Sequence, residues 1–138
     1  MVGNLPYNIS SQVIIQLIHA RQRIDRAVLM FQKEVAERLT AVVGSRIYGP
    51  MTVLAGQAYA VTALFDLPAS AFRPRPKVVS TVTMWRPRKD EALDPELESG
   101  LRSCLAAAFA RRRQTLRNNL RAALASNQAA ERLLAAAA

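Results

Sequence analysis

Glycine is scarce in this chain of 138 residues: five glycines stand at 3, 44, 49, 56 and 100, and no two are close enough to form a G-x-G turn. A glycine loop that cradles phosphates is therefore not expected from these residues. Cysteine occurs once, at Cys104, which excludes an internal disulfide and a cysteine metal cluster. Its apolar neighbours Leu101 and Leu105 predict a core thiol. Histidine also occurs once, and a lone His19 reads as packed or solvated rather than catalytic, so no metal site is expected. No apolar run reaches 18 residues, and the start lacks a basic region followed by a long apolar stretch. Neither a membrane span nor a secretory leader is expected, and the sequence reads as cytoplasmic.

Acids are few as well: 10 Asp and Glu face 19 Lys and Arg, for a net charge of +9. The excess is uneven. Residues 1 to 70 carry six cations against four acids, whereas 71 to 138 carry thirteen against six, which points the second half toward a polyanion. Arg73, Arg75 and Lys77 alternate with Pro74 and Pro76, and a proline-stiffened basic strip loses little entropy on docking to phosphates. Arg111, Arg112, Arg113, Arg117 and Arg121 form a second block that contains no acid. A solvated surface is the plain alternative for any one of these residues; eight cations in two blocks favour RNA.

With 51% hydrophobic content, a chain of this length buries roughly two thirds of its unfolded surface and makes one or two small domains. The hydrophobic period alternates between helix and strand. Ser10 or Ser11 is placed to cap a helix with Val13, Ile14, Leu17 and Ile18 on its apolar face. Ala27 to Phe31 reads as a buried strand. Residues 33 to 42 return to helix, with Val35, Leu39 and Val42 on one face and the pairs Lys33/Glu37 and Glu34/Arg38 four apart. A further helix is expected over 49 to 58 and strands over 59 to 66 and 78 to 86, in the order β-α-β-α-α-β-β. From Arg86 to Pro95 the composition shifts to Pro, Lys, Asp and Glu and marks a linker. Beyond it, Leu97, Leu101, Leu105, Ala108 and Phe109, then Leu116, Leu120 and Leu124, follow helical spacing, with Arg113, Arg117 and Arg121 alongside. Domains are expected at 1–88 and 89–138.

The heptapeptide Asn4-Leu5-Pro6-Tyr7-Asn8-Ile9-Ser10 carries the sharpest chemical signal. Pro6 fixes its own φ and biases Leu5 away from helix, so backbone carbonyls there can point outward. The Asn4 side-chain oxygen and an adjacent main-chain carbonyl can then accept from one NH2 group while Tyr7 covers the ring. An Asn-x-Pro-Tyr turn is also a common structural loop. The whole heptad resembles the signature of the ribosomal RNA adenine dimethyltransferases, the KsgA-like family. Four later stretches are similar to that family in the same order: 31–39 (Phe31 to Leu39), Tyr48-Gly49, 70–78 (Ser70 to Val78) and 109–120 (Phe109 to Leu120).

The resemblance implies the C-terminal half of a Rossmann-like class I methyltransferase sheet followed by an all-α subdomain, an α/β fold. It implies rRNA of the small subunit as partner and S-adenosylmethionine as cofactor, with most of the cofactor site in a leading half-domain that this chain would lack. Asn4 would be the one residue touching the cofactor. Asn4 and the Leu5 or Pro6 carbonyl would accept from the adenine amine, Tyr7 would stack on the flipped base and Phe72 would close its other face. Phe72 as an ordinary core residue is the alternative. The chain alone is then expected to be inactive, and its Ala27–Phe31 strand, guarded by a stub at Val2-Gly3, to promote self-association through an open sheet edge. A non-catalytic RNA-binding or ribosome-assembly protein, and an inactive truncation product, are the competing readings.

Overall fold

The computed structural model describes residues 1–6, 9–89 and 95–136, and they divide into two compact units, Met1–Ala92 and Leu93–Ala138. The first unit is built on a four-stranded sheet. Its elements are β1 (Val2–Asn4), α1 (Ser10–His19), β2 (Ala27–Gln32), α2 (Lys33–Leu39), α3 (Pro50–Ala58), β3 (Tyr59–Leu67) and β4 (Ser80–Pro87). This is the order expected from the periodicity. Across the sheet the strands lie β1-β2-β4-β3, with β1 parallel to β2 and both other pairings antiparallel.

The period of two along each strand explains the core. Ala27, Leu29 and Phe31 fall on one face of β2 and are almost wholly buried, opposite Trp85, Thr83 and Thr81 of β4. Ile14, Leu17 and Ile18 of α1, Leu39 of α2, and Ala55 and Ala58 of α3 pack into the same cluster with Tyr59. The Trp85 ring lies 5.5 Å from Tyr59, edge to face, and 5.9 Å from Phe31. Buried polar groups are satisfied within this cluster: the Tyr59 hydroxyl donates to the Leu17 carbonyl at 2.7 Å, Thr83 donates to the Leu29 carbonyl, and the Trp85 indole donates to Thr83. Gly3 is closely packed: a Cβ there would stand 3.1 Å from Leu29 Cδ2, so a larger residue needs that side chain to give by a few tenths of an ångström.

Several local expectations change. Helix α1 begins at Ser10 with Ile9 in the cap position, because the Ile9 amide already turns back to the Pro6 carbonyl at 3.2 Å; neither serine is the N-cap. Helix α2 stops at Leu39 rather than 42, where Thr40 turns its hydroxyl onto the Ala36 carbonyl. Val42 is consequently 72% exposed. Glu34 pairs with Arg38 as expected, but Lys33 reaches across to Asp66 at 2.6 Å instead of pairing with Glu37. Helix α3 starts with Pro50 in its first turn, and the Thr52 hydroxyl accepts from the Gly49 amide while donating to the Arg38 carbonyl.

The second unit is a helix pair, α4 (Pro95–Ala108) packed on α5 (Leu116–Ala136). Leu105 is buried, whereas Leu97, Leu116 and Leu124 are each about 60% exposed, so the expected leucine spacing does not make a closed core there. Cys104 is exposed, not a core thiol: it follows Ser103 on the outer side of α4, one position short of the buried Leu105 stripe. His19 is exposed.

Candidate functional site

Parallel strands end on one edge of a sheet, and loops there bring together residues distant in sequence. The registers define that edge. Asn4, the last residue of β1, lies opposite Met30, and Gln32, the last of β2, lies opposite Ser80, which in turn faces Leu67 at the end of β3. The Asn4-Leu5-Pro6 segment and the connection 68–79 between β3 and β4 therefore leave the sheet at the same end. The structure brings Asn4, Leu5, Pro6, Phe72, Arg73, Arg75 and Lys77 to this edge, while Arg111 to Arg121 belong to the helical unit.

Asn4 is exposed and Leu5 is half-buried, its side chain packed against the core cluster. That packing anchors the turn from below and leaves the polar Asn4 side chain outside. The Pro6 carbonyl spends one lone pair on the Ile9 amide and keeps the other. Tyr7 lies outside the described residues, and so does Asn8. Phe72 ends the single turn Ala69–Ala71 in extended conformation, is half-buried, and is not among the residues of the core cluster. Its amide is tethered to the Ala69 carbonyl at 3.4 Å, and a cis bond joins Arg73 to Pro74. Arg73, Arg75 and Lys77 are all exposed.

A clasp invisible to sequence reasoning holds this edge. Asp66 accepts from Lys33 Nζ at 2.6 Å and from the Thr81 hydroxyl at 2.7 Å, joining the start of α2 to β3 and β4. The hydrogen bond from Lys33, then that from Thr81, holds the Asp66 carboxyl below the ordinary carboxylate range, and Asp66 in turn raises Lys33. The Lys33 amide also donates to the Val79 carbonyl at 2.9 Å, fixing the end of the Phe72 loop. Asp66 is the one acid in a nine-residue strand, the only signal that could have drawn attention to it.

In the helical unit Arg111, Arg112, Arg113, Arg117 and Arg121 are exposed. Arg113 lies in the turn before α5, so only Arg117 and Arg121 share a helical face. The turn is shaped by Asn119, 4% exposed, whose Nδ2 donates to the carbonyls of Ala108 at 2.8 Å and Arg111 at 3.2 Å. A shallow concavity of about 360 Å³ is lined by Arg111, Gln114, Asn118 and Arg121 with Ala122 and Ala125. Sequence reasoning missed Asn119, although an amide doublet inside a helix is a mark of side-chain-to-backbone bonding. Among the described residues no group of three His, Cys, Asp or Glu side chains could hold a metal, and no helix is long and apolar enough to cross a membrane.

A family model described as ribosomal RNA adenine dimethylase matches residues 1–135. Ribosomal RNA small subunit methyltransferase A of Acidobacterium capsulatum is 48% identical over 127 residues, covering 89% of this chain and 44% of that protein. The protein of the same name from Legionella pneumophila strain Lens is 41% identical over 128 residues, covering 93% and 50%. The chain thus spans about half the length of the curated relatives it matches. Among solved structures, a dimethyladenosine transferase from Plasmodium falciparum superposes with a TM-score of 0.77 at 37% identity, covering 86% of this chain and 42% of that one. The 23S rRNA methyltransferase ErmE superposes with a TM-score of 0.66 at 24% identity over 86% of this chain and 48% of its own, a likeness of fold. The sheet is thus the Rossmann-like sheet of a class I methyltransferase.

Proposed function

The chain belongs to the ribosomal RNA adenine dimethylase family, and on that premise we propose that it forms the target-base side of an enzyme that dimethylates the N6 amine of adenines in small-subunit rRNA. The observation that carries this reading is the convergence of Asn4-Leu5-Pro6 and the Phe72 loop on one edge of the sheet. Residues 1–88 supply the base pocket, and 89–138 add an RNA-binding helical surface.

An adenine amine is a poor nucleophile because its lone pair is delocalised into the ring. Asn4 Oδ1 and the Leu5 or Pro6 carbonyl accept its two N–H bonds, which orients the amine and returns electron density to the nitrogen. Tyr7 stacks on one face of the flipped base and Phe72 closes the other, each stack contributing on the order of 1–3 kcal/mol. Arg73, Arg75 and Lys77 at the same edge, with Arg111, Arg112, Arg113, Arg117 and Arg121, take the phosphates. S-adenosylmethionine, the family's methyl donor, needs a cradle that these residues do not make. Gly3 is closed off by Leu29 and Leu5, and on this reading Asn4 is the one residue that touches the donor. The chain by itself therefore binds the donor poorly and does not methylate RNA. Its place of action is the cytoplasm, where the rRNA is.

Asn4→Ala and Phe72→Ala, introduced into a protein that carries the whole family length, should lower methyl transfer far more than overall RNA affinity, because phosphate contacts dominate binding and the pocket acts on orientation. Single-turnover methylation measured beside filter binding decides it. Parallel loss of binding and activity in either variant would remove the flipped-base assignment. A competing reading, an RNA-binding or assembly protein without catalysis, predicts no activity change at all.

A further inference from the structure

The edge opposite the base pocket, where β2 starts and β4 ends, is also basic. Within 21–27 and 84–89 the sequence places six cations, Arg21, Arg23, Arg26, Arg86, Arg88 and Lys89, against one acid, Asp25. Two of the six are committed elsewhere: Arg21 is buried and donates to the Ile18 carbonyl, and Arg88 lines a cavity beside Tyr48 and Gln57. Asp25 is taken by Lys89 at 2.8 Å, a hydrogen bond that holds its carboxyl below the ordinary range. Arg23, Arg26 and Arg86 are exposed and meet no carboxylate among the described residues.

The register sharpens this. Ala27 pairs with Trp85 in the last rung of the ladder, so Arg26, one residue before β2, stands level with Arg86 one step beyond that rung, on the side of Val28 and Met84. Like charges directly opposite each other on neighbouring strands are destabilising unless an anion lies between them. The other charged side chains of the α2 and β3 surface are arranged differently, as the Lys33–Asp66 and Arg38–Glu34 pairs show. Arginines at two level positions on neighbouring chain segments, with Arg23 in the turn that leads to them, suit the oxygens of a phosphodiester, because each guanidinium offers a planar fork of donors.

We propose that Arg23, Arg26 and Arg86 form a second RNA-phosphate contact, on the face of the sheet unit away from the base pocket, and that it grips a different stretch of RNA from the one entering at Asn4 and Phe72. The proposal rests on the RNA reading above. Strand β4 runs from Ser80 at one edge to Pro87 at the other, a span of roughly 25 Å at ~3.4 Å per residue. That is about three times the screening length of ~8 Å at physiological ionic strength, so the two contacts neutralise phosphates independently.

The test uses the 138-residue chain and a long-stemmed RNA hairpin, titrated by fluorescence anisotropy over a range of salt. The combined substitution Arg23→Ala, Arg26→Ala and Arg86→Ala should weaken binding and flatten the slope of log K against log salt by about 2 to 3, from 0.7–0.9 for each phosphate lost. The matching triple lysine variant should keep most of that slope, because charge rather than packing is at issue. Combining the alanine set with Arg73→Ala, Arg75→Ala and Lys77→Ala should multiply the two losses. An unchanged slope in the first variant, with a loss from the second set, overturns this proposal and leaves the RNA reading intact. So does an equal loss in the lysine variant, which assigns these residues to structure. No loss from either set overturns the RNA reading itself. Thermal unfolding of each variant accompanies the titration; the transition should not fall, since all three side chains are exposed and the alanine set removes the facing like charges.

Discussion

The two units are held together by different physics. In the sheet unit eleven apolar side chains form one buried cluster around Trp85, Tyr59 and Phe31. In the helical unit the buried side chains among the described residues are Leu105 and Asn119, and what fixes the turn between α4 and α5 is a pair of hydrogen bonds from one amide. The contrast accounts for where the charges lie. A turn held by side-chain-to-backbone bonds leaves its arginines outside, whereas a core of alternating residues pushes cations to the two edges of the sheet. The exposed cations thus lie on the rim of a hydrophobic unit and on the surface of a polar one.

The sharpest way to break this contrast is at Trp85. Truncation to Ala removes the ring on which Tyr59 and Phe31 pack and takes one donor from the Thr83 oxygen, so a loss of about 3–5 kcal/mol is expected from urea unfolding followed by circular dichroism. A loss under about 1 kcal/mol would mean that the cluster is not the main support of the sheet unit.

In the helical unit Asn119→Ala should cost about 1–3 kcal/mol, the usual consequence of leaving two half-buried carbonyls without their donor. Its signature is local: amide exchange should speed up between Ala108 and Thr115, and RNA affinity should fall although no cation is altered. Protection that stays unchanged in that segment would show the turn to be held by something other than this amide.

A third prediction concerns the edge of the sheet. The structure puts β2 inside, between β1 and β4, so the outer strands are β1 and β3, and the edge on the β2 side belongs to β1, a strand of three residues whose Val2 is 84% exposed. We propose that the isolated chain self-associates through β1, and Val2→Lys should shift the population toward monomer in light scattering by placing a charge on that edge. A wild-type monomer at high concentration would dispose of the idea.

The smallest effect is expected from the Asp66 clasp. Its folded carboxyl is held below the ordinary value, first by Lys33 and then by Thr81, so the stability it contributes is present above the unfolded carboxylate value of about 3.9 and is lost as pH falls through the lower folded one. Asp66→Asn should therefore flatten the acid limb of the melting profile slightly and leave neutral stability nearly unchanged, because both partners are largely exposed. A neutral-pH loss as large as that of Asn119→Ala would make the clasp a structural support rather than a surface pair.

Much of this was legible in the residues themselves. The local pattern identified the strands and helices of the sheet unit after β1 in order, because burial on one face is written locally. The heptad at Asn4, the Pro-Arg strip and the arginine block could be singled out because their chemistry is carried by neighbours in sequence. The end of α2 is not legible in the local pattern: the Thr40 amide and hydroxyl both bond the Ala36 carbonyl, and the Arg38 carbonyl accepts from Thr52, fourteen residues on. Cys104 was misread because one residue of helical phase separates a core position from a solvent one. The Lys33–Asp66–Thr81 clasp and the Arg26–Arg86 pairing were beyond reach: their partners are 15 to 60 residues apart and meet through strand register. Sequence by itself determined the elements, the charge and the family, all of which depend on composition and short-range order. Only the tertiary structure decided which loops share an edge and which cations face each other, because register and strand order are set by how the whole core packs.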